Sequence, residues 1–313
     1  MPHAQSGPLP VLSPEARSAV EARLAADRRA IEGALGQFLR ADGRSEERLQ
    51  EAMRHSVFAG GKRLRPILVL AGAEVSGMPA EAVLPAACAV EMVHTYSLVH
   101  DDLPAMDNSP TRRGLPTCHV LYGDAVAILA GDALHALAFE VLARNAEVAD
   151  VPADRVVRAI AELATGIGIR GMVGGQMRDL LAAGQPLAGA DVQEIHRLKT
   201  GALIRASVRI GGILGGASPD ALDALTRYGT HVGLAFQIVD DILDVVGEEA
   251  KLGKGTGSDA AQAKITFPSV FGLAASQQLA QDATTQAMRA LEPLGPRARW
   301  LRDLSIHLLA RDR

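Results

Sequence analysis

Residues 218–247 read SPDALDALTRYGTHVGLAFQIVDDILDVVG, and the period of this stretch decides the fold class. Ser218, Pro219 and Asp220 supply a capping hydroxyl, a proline suited to a first helical turn, and an acid that favours a helix N-terminus. Leu222, Leu225, Val232, Phe236, Val239 and Leu243 then follow at steps of three, four or seven residues, one stripe along a helix. The same spacing recurs elsewhere and predicts helices near 14–40, 45–58, 65–76, 80–103, 123–147, 153–183, 190–215, 219–247, 260–292 and 296–311. No convincing set of alternating, β-branched strands separated by turns interrupts it. An all-α chain is the expectation.

Composition agrees. In 313 residues, 48% hydrophobic and 22% charged content is that of a globular protein and rules out disorder as the main state. Aromatic residues make up only 3%, so the core must be built from Ala, Leu, Val and Ile, which let helices approach closely. Thirty-two Lys and Arg against 36 Asp and Glu give a net charge of -4, so no global basic field exists to hold nucleic acid or acidic lipid. Any anionic ligand must be caught locally. Met1–Pro14 lacks a basic segment followed by an apolar one, and Glu74, Glu81, Asp132, Glu140, Arg205 and Arg209 interrupt the most apolar later stretches; neither a signal peptide nor a membrane span is expected. Cys88 and Cys118 stand far apart without CxxC or Cys/His ligand spacing, which argues against disulfides or zinc and suits a reducing cytoplasm. Pro, Gly and polar residues accumulate at 104–118 and 247–259, where helix should fail. Residues 1–13 read as a loose tail and 14–313 as a single helical domain.

Two acidic clusters precede those breaks. Asp101, Asp102 and Asp107 lie in HDDLPAMD (100–107) at the C-terminal end of a long apolar helix, where negative charge opposes the helix dipole and adjacent carboxylates repel. Asp240, Asp241 and Asp244 lie in FQIVDDILD (236–244), where a helical step of about 100° puts Asp240 and Asp244 on one face and Asp241 on its shoulder. Oxygen donors without neighbouring His or Cys favour a hard ion such as Mg²⁺, whose shell a substrate phosphate completes. Taken singly, each cluster also reads as a surface charge run at a helix end; two on apolar helices favour a metal-bridged phosphate ester. GGKRLRP (60–66) offers Lys62, Arg63 and Arg65, and Arg112 and Arg113 follow the first acidic cluster. Guanidinium and ammonium groups suit a diphosphate, but the string lacks the GxxxxGK[ST] of a phosphate loop, and a basic helix start is more often simply solvated. Lys199, Lys254 and Lys264 have the same bland reading in isolation, and His94 alone reads as a core histidine. Gln176, Asp124 and Asp132 read equally well as ordinary helix polar residues, and Met92 and Met106 as packing.

In order, GGKRLRP, HDDLPAMD followed by RRG, GGQ at 174–176, KTG at 199–201, and FQIVDDILD followed by LGK resemble the trans-isoprenyl diphosphate synthases. The likeness extends from Gly60 to Pro268, and the two extra residues in DDLPAMD are most like those of bacterial farnesyl diphosphate synthases. The resemblance implies an all-α bundle around a deep central cavity, usually a homodimer. It implies Mg²⁺, as three ions with bound diphosphate, held by Asp101 and Asp107 on one wall and Asp240 on the other, with Asp102 in support and Asp241 and Asp244 nearby. Arg112, Lys199, Thr200, Gln237, Lys254 and Lys264 would hold the allylic diphosphate. Gly61, Lys62, Arg65, His94 and Arg113 would bind isopentenyl diphosphate, with Phe236 near its hydrocarbon part. Asn108-Ser109-Pro110 and the Ser258 before Asp259 depart from the usual pattern without removing a principal ligand.

The implied reaction ionises an allylic diphosphate (dimethylallyl or geranyl), adds isopentenyl diphosphate and loses a proton to the released diphosphate, in a cavity that keeps water away. Tyr96, five residues before Asp101 and hence about 7.5 Å lower on the helix, would form the floor that stops growth at farnesyl diphosphate, with Ser97 beside it. Tyr96 also reads as a plain core tyrosine. The rivals are a geranylgeranyl or other short-chain synthase and a noncatalytic regulatory subunit; the latter is expected to lose Asp or Lys from one motif, and none is lost here. A class I terpene cyclase would carry an Asn/Ser/Glu pattern where this chain has DDILD.

Overall fold

Helix dominates the computed structural model, which describes residues 11–40, 47–148, 151–182, 189–252 and 266–309, with 247–252 through their backbone. The helices are α1 (Pro14–Phe38), α2 (Glu47–Phe58), α3 (Leu64–Val75), α4 (Leu84–Asp101), α5 (Cys118–Tyr122), α6 (Asp124–Ala143), α7 (Ala153–Ile167), α8 (Met172–Ala182), α9 (Gly189–His196), α10 (Ala202–Gly215), α11 (Pro219–Leu252), α12 (Phe267–Phe271), α13 (Leu273–Ala290) and α14 (Arg299–Leu309). Among the described residues the only strands are β1 (Thr111–Arg112) and β2 (Leu115–Pro116), an antiparallel pair pairing Thr111 with Pro116 and Arg112 with Leu115. The fold class is all-α, as the period predicts.

The chain forms two compact units, with cuts inside α1, α7 and α10. One comprises residues 22–161 and 210–216. Its core helix α3 is buried almost all round, and α4 is buried from Pro85 to Val93, which is why both sequences are apolar on every face rather than striped. α4 packs against α3 and α6, and α2 against α6. Ile67, Leu68, Leu70, Met92, Leu134 and Leu142 lose nearly all contact with water, each worth about 1.5–3 kcal/mol of transfer free energy. Two stretches here, Ala80–Asp101 and Asp124–Glu147, are long and apolar enough to cross a membrane by length and composition, where none was expected. The first has 72% of its most apolar window buried and is a core helix; the second has 39% buried and keeps an open apolar face.

The other unit comprises residues up to 21, 162–209 and 217 onwards. Its axis is α11, against which α12, α13 and α14 pack. Ile238, Val239, Phe267 and Ala280 form a buried cluster joined by Leu234, Ile242 and Phe271. Tyr228 is fully buried and donates its hydroxyl to the Leu301 carbonyl at 3.1 Å, so its polar tip is satisfied inside the core.

Boundaries differ from expectation for local reasons. The helix expected at 153–183 breaks into α7 and α8 at a turn in which the Gly171 N–H donates to the Gly168 carbonyl at 2.9 Å; glycines make that unwinding cheap. The helix expected to stop at 247 runs to Leu252, through a Glu-Glu-Ala-Lys-Leu string of strong helix formers. The 190–215 helix is widened by a π-turn at Arg197–Gly201, and the 260–292 helix is divided by Gly272. Residues 1–10 of the expected tail, the expected helical positions 45–46 and 260–265, and most of the 247–259 break lie outside the described residues.

Candidate active site

The first set of predicted residues gathers in the unit formed by residues 22–161 and 210–216. Where α4 ends, the chain folds back over its own last turn. The Asp107 N–H donates to the Asp101 carbonyl at 2.8 Å, Asn108 to Leu103 at 3.0 Å and Ser109 to Asp102 at 3.2 Å. Carbonyls that a helix end leaves open are thereby satisfied, and Asp101 and Asp107 are brought onto one turn. Both side chains are half-buried, whereas Asp102 is 4% exposed. Asp102 is gripped by Arg112 on β1: Nε donates to Oδ1 at 2.9 Å and to Oδ2 at 2.8 Å, and Nη2 to Oδ1 at 2.6 Å. Burial alone would lower the Arg112 pKa, but the hydrogen bonds to Asp102 and the charges of Asp102, Asp101 and Asp107 outweigh it and hold the group above its ordinary value.

The hairpin that presents Arg112 turns at Arg113 (φ 55°) and Gly114 (φ 79°), both left-handed, as a two-residue hairpin loop requires. Arg113 Nη1 donates to the Gly60 carbonyl, which ties the hairpin to the GGKRLRP loop. Gly61, at φ 126°, lies under that guanidinium; a Cβ there would stand 2.6 Å from Arg113 Nη1. Lys62 is exposed and Arg65 half-buried. His94 faces the same group: burial, and then the charges of Arg65, Arg113, Arg112 and Arg63, hold its pKa well below the usual imidazole range. It is therefore neutral at pH 7. Predicted residues Gly61, Arg65, His94, Arg112 and Arg113 thus share one electrostatic neighbourhood.

Tyr96 turns toward α6, where its ring meets His135 at 4.8 Å between centroids, and His135 meets Phe139 edge-on at 5.4 Å. Burial and the charge of Asp101 push the Tyr96 hydroxyl up to about 12. Ser97 Oγ donates back to the His94 carbonyl at 2.8 Å.

The second set lies in the unit containing 162–209 and 217 onwards. The GGQ string serves packing: a Cβ at Gly175 would collide with the Lys199 backbone nitrogen, so glycine lets α8 meet the π-turn directly. On that turn Lys199 Nζ donates to Asp179 Oδ2 at 2.6 Å. Thr200 Oγ1 donates to Gln237 Oε1 at 2.8 Å, Gln237 Nε2 to Asp241 Oδ1 at 2.7 Å, and the Phe267 N–H to Asp241 Oδ2 at 2.9 Å. Asp241 is 5% exposed. His196 stacks on Phe267 at 5.3 Å with Nε2 3.7 Å from Asp241 Oδ2. Burial lowers the His196 pKa, against the raising effect of Asp241 and Asp179. Phe236 and Asp240 are half-buried and Asp244 is exposed. Lys254 and Lys264 lie outside the described residues.

Among the described residues no three His, Cys, Asp or Glu side chains form a preformed metal cluster. The donors on the α4 turn are carboxylate oxygens alone, the set a hard divalent ion takes when water and phosphate complete its shell. Magnesium fits Asp101 and Asp107 on that ground. Sequence reasoning missed Asp179, His196, Phe267, His135 and Phe139. Asp179 follows Gln176 by one helical turn and His135 precedes Phe139 by four residues, spacings that could have marked the first and the last pair.

Against known proteins, a family model described as Polyprenyl synthetase matches residues 46–292. The chain is 48% identical over 245 residues to the farnesyl diphosphate synthase of Escherichia coli (strain K12), a match covering 78% of this chain and 82% of that one. It is also 48% identical, over 234 residues, to the geranylgeranyl diphosphate synthase of Cyanophora paradoxa, covering 74% and 77% respectively. The apo crystal structure of an FPP/GFPP synthase from Zymomonas mobilis matches the fold with a TM-score of 0.83 at 36% identity, covering 94% of this chain and 100% of that one.

Proposed function

The chain belongs to the polyprenyl synthetase family, and from that membership we propose that it condenses isopentenyl diphosphate head to tail with dimethylallyl and then geranyl diphosphate, giving farnesyl diphosphate. The coarse activity follows from the family: the chain is a prenyltransferase that builds trans-prenyl diphosphates. Magnesium, which the family uses, would be held at the first motif by Asp101 and Asp107 and at the second by Asp240, and would offset the charge gathering on the leaving diphosphate. Arg112 commits Nε and Nη2 to Asp102 and has Nη1 for a phosphate oxygen of the allylic substrate. Lys199 would turn from Asp179 to an allylic diphosphate, with Thr200 and Gln237 beside it. Lys62, Arg65 and Arg113 would hold isopentenyl diphosphate against the Gly61 backbone, and neutral His94 would donate a hydrogen bond without adding charge. The allylic C–O bond breaks with its electron pair on the leaving diphosphate. The isopentenyl double bond then attacks the cation, and the proton it gives up passes to that diphosphate.

Product length is the finer question, because relatives of equal identity carry farnesyl and geranylgeranyl names. The observation that supports the farnesyl product is Tyr96, one and a half turns below Asp101 and backed by His135 and Phe139. The bulk of that ring at this level of α4 would end the growing chain against it. The test offers labelled isopentenyl diphosphate with each starter in turn and chromatographs the dephosphorylated products. A fifteen-carbon alcohol from both starters is expected; a twenty-carbon product would transfer the chain to the geranylgeranyl reading. No incorporation at all would leave a noncatalytic subunit.

We also read the protein as a cytoplasmic homodimer. The support is the apolar face that Val120 and Leu121 on α5 and Ile128 and Leu129 on α6 leave exposed, a patch that monomers rarely keep open, and two free cysteines. Sedimentation of the purified chain at twice the protomer mass is the expected result.

A further inference from the structure

The basic loop at residues 60–65 is braced from beneath by one of its own arginines. Arg63 lies between Lys62 and Leu64 in the string that sequence reading treats as one phosphate-binding patch, yet it is only 3% exposed. Its guanidinium turns inward: Nη1 donates to Glu91 Oε1 at 2.6 Å, Nη2 to the Val57 carbonyl at 2.8 Å, and Nε to Glu32 Oε1 at 3.4 Å. Those acceptors lie on α4, α2 and α1. Glu91 is itself 2% exposed, so both charges are removed from water.

Such a pair is an odd choice for stability. Two apolar side chains of similar size fill a core without desolvating any charge, and replacing buried ion pairs that way is often neutral or favourable. The backbone supplies the reason. Arg63 sits at φ 52°, ψ 32°, a left-handed conformation that a residue with a Cβ avoids, immediately before α3 begins. Gly60 and Gly61 also have positive φ, at 91° and 126°, but they adopt it freely. Arg63 does not, and its three acceptors from three helices hold it there. Lys62 and Arg65 leave the chain on either side of that fixed residue.

We infer that Arg63 and Glu91 are positioning residues whose ion pair fixes the left-handed turn that aims Lys62 and Arg65 at the diphosphate of isopentenyl diphosphate. The inference rests on the proposed assignment of this loop to that substrate.

Three variants of the full-length enzyme test it: Lys62→Ala, Glu91→Gln, and the double substitution Arg63→Met/Glu91→Met. Steady-state constants for both substrates and melting temperatures are measured. Glu91→Gln should raise KM for isopentenyl diphosphate about tenfold while leaving KM for the allylic substrate within about twofold. The double variant removes both buried charges and should melt close to the wild type. Its KM for isopentenyl diphosphate should nevertheless stay raised about tenfold, because methionine bonds neither Val57 nor Glu32. A pair that only stabilises the fold would behave otherwise: KM would recover together with melting temperature in the double variant, which overturns the inference. Equal effects on both substrates in Glu91→Gln also overturn it. Lys62→Ala reports on the loop assignment itself. If it leaves KM for isopentenyl diphosphate unchanged, the assignment fails and the inference with it; if it raises KM while Glu91→Gln does not, the brace alone fails. Should Glu91→Gln not fold, the double variant decides.

Discussion

The two aspartate-rich regions both bury their second aspartate, but they hold it by different chemistry. Asp102 is clamped by a guanidinium that donates to both of its oxygens, whereas Asp241 is held by neutral donors, the Gln237 amide and the Phe267 N–H. A guanidinium has no acceptor and cannot reverse its hydrogen bonds; an amide can flip. The first region is therefore intolerant of neutral substitution, while the second can reverse the polarity of its whole chain of bonds. In an Asp241→Asn protein, the amide oxygen takes the place of Asp241 Oδ2 and accepts from the Phe267 N–H, Nδ2 donates to a flipped Gln237, and Gln237 donates to Thr200 Oγ1.

The largest effect is expected at Asp102→Asn, which turns an amide NH₂ toward Arg112 donors that cannot rearrange. We expect kcat/KM to fall about a hundredfold or more and the melting temperature by about 3 °C, since the partly exposed pair contributes about 2 kcal/mol. Near wild-type kinetics would erase the distinction between the two regions. Next comes Asp241: the Ala variant should lose about tenfold in kcat/KM, whereas Asn should stay within about threefold. Equal losses in Ala and Asn would mean that charge, not hydrogen-bond geometry, governs the second region. Tyr96→Ala sharpens the contrast another way. It should shift the product from fifteen to twenty carbons with a modest change in rate, while substitutions at Asp241 leave the product length alone; gas chromatography of the dephosphorylated alcohols reads both.

The smallest effect is on pH. His94 in the first region and His196 in the second both have depressed pKa values, from burial first and then from nearby arginines in one case and Lys199 in the other. The unfolded chain therefore takes up protons near pH 6.5 before the native one does, and stability rises with pH through that window. It is fully present above about pH 6.5 and is lost as pH falls toward the depressed native values. Melting temperature should drop between pH 7.5 and 5.5, and His94→Gln should flatten that drop more than His196→Gln, because its depression is the larger.

Much of this was legible beforehand. The Ser218-Pro219-Asp220 start and apolar stripe of α11 announce a helix, and the first acidic string stands out as costly without a cation. What escaped was anything that depends on a partner distant in sequence. Arg63 reads as one more cation beside Lys62, and only the fold shows Glu91 beneath it. Glu91 itself, a lone acid within an apolar run, was the available signal, since a buried carboxylate needs a partner. Phe267 becomes visible only when Asp241 finds it in space. The α7–α8 break escaped because the helical period passes through Gly168 with little change, and β1–β2 because two-residue strands carry no period at all.

The measurement that bears most directly on the account is incorporation of labelled isopentenyl diphosphate across a magnesium titration, for the wild type and for Asp101→Asn and Asp240→Asn. The account predicts magnesium-dependent formation of prenyl product by the wild type and a loss of about a hundredfold or more in each variant. Full activity in either variant, or product formed by the wild type without magnesium, would contradict it.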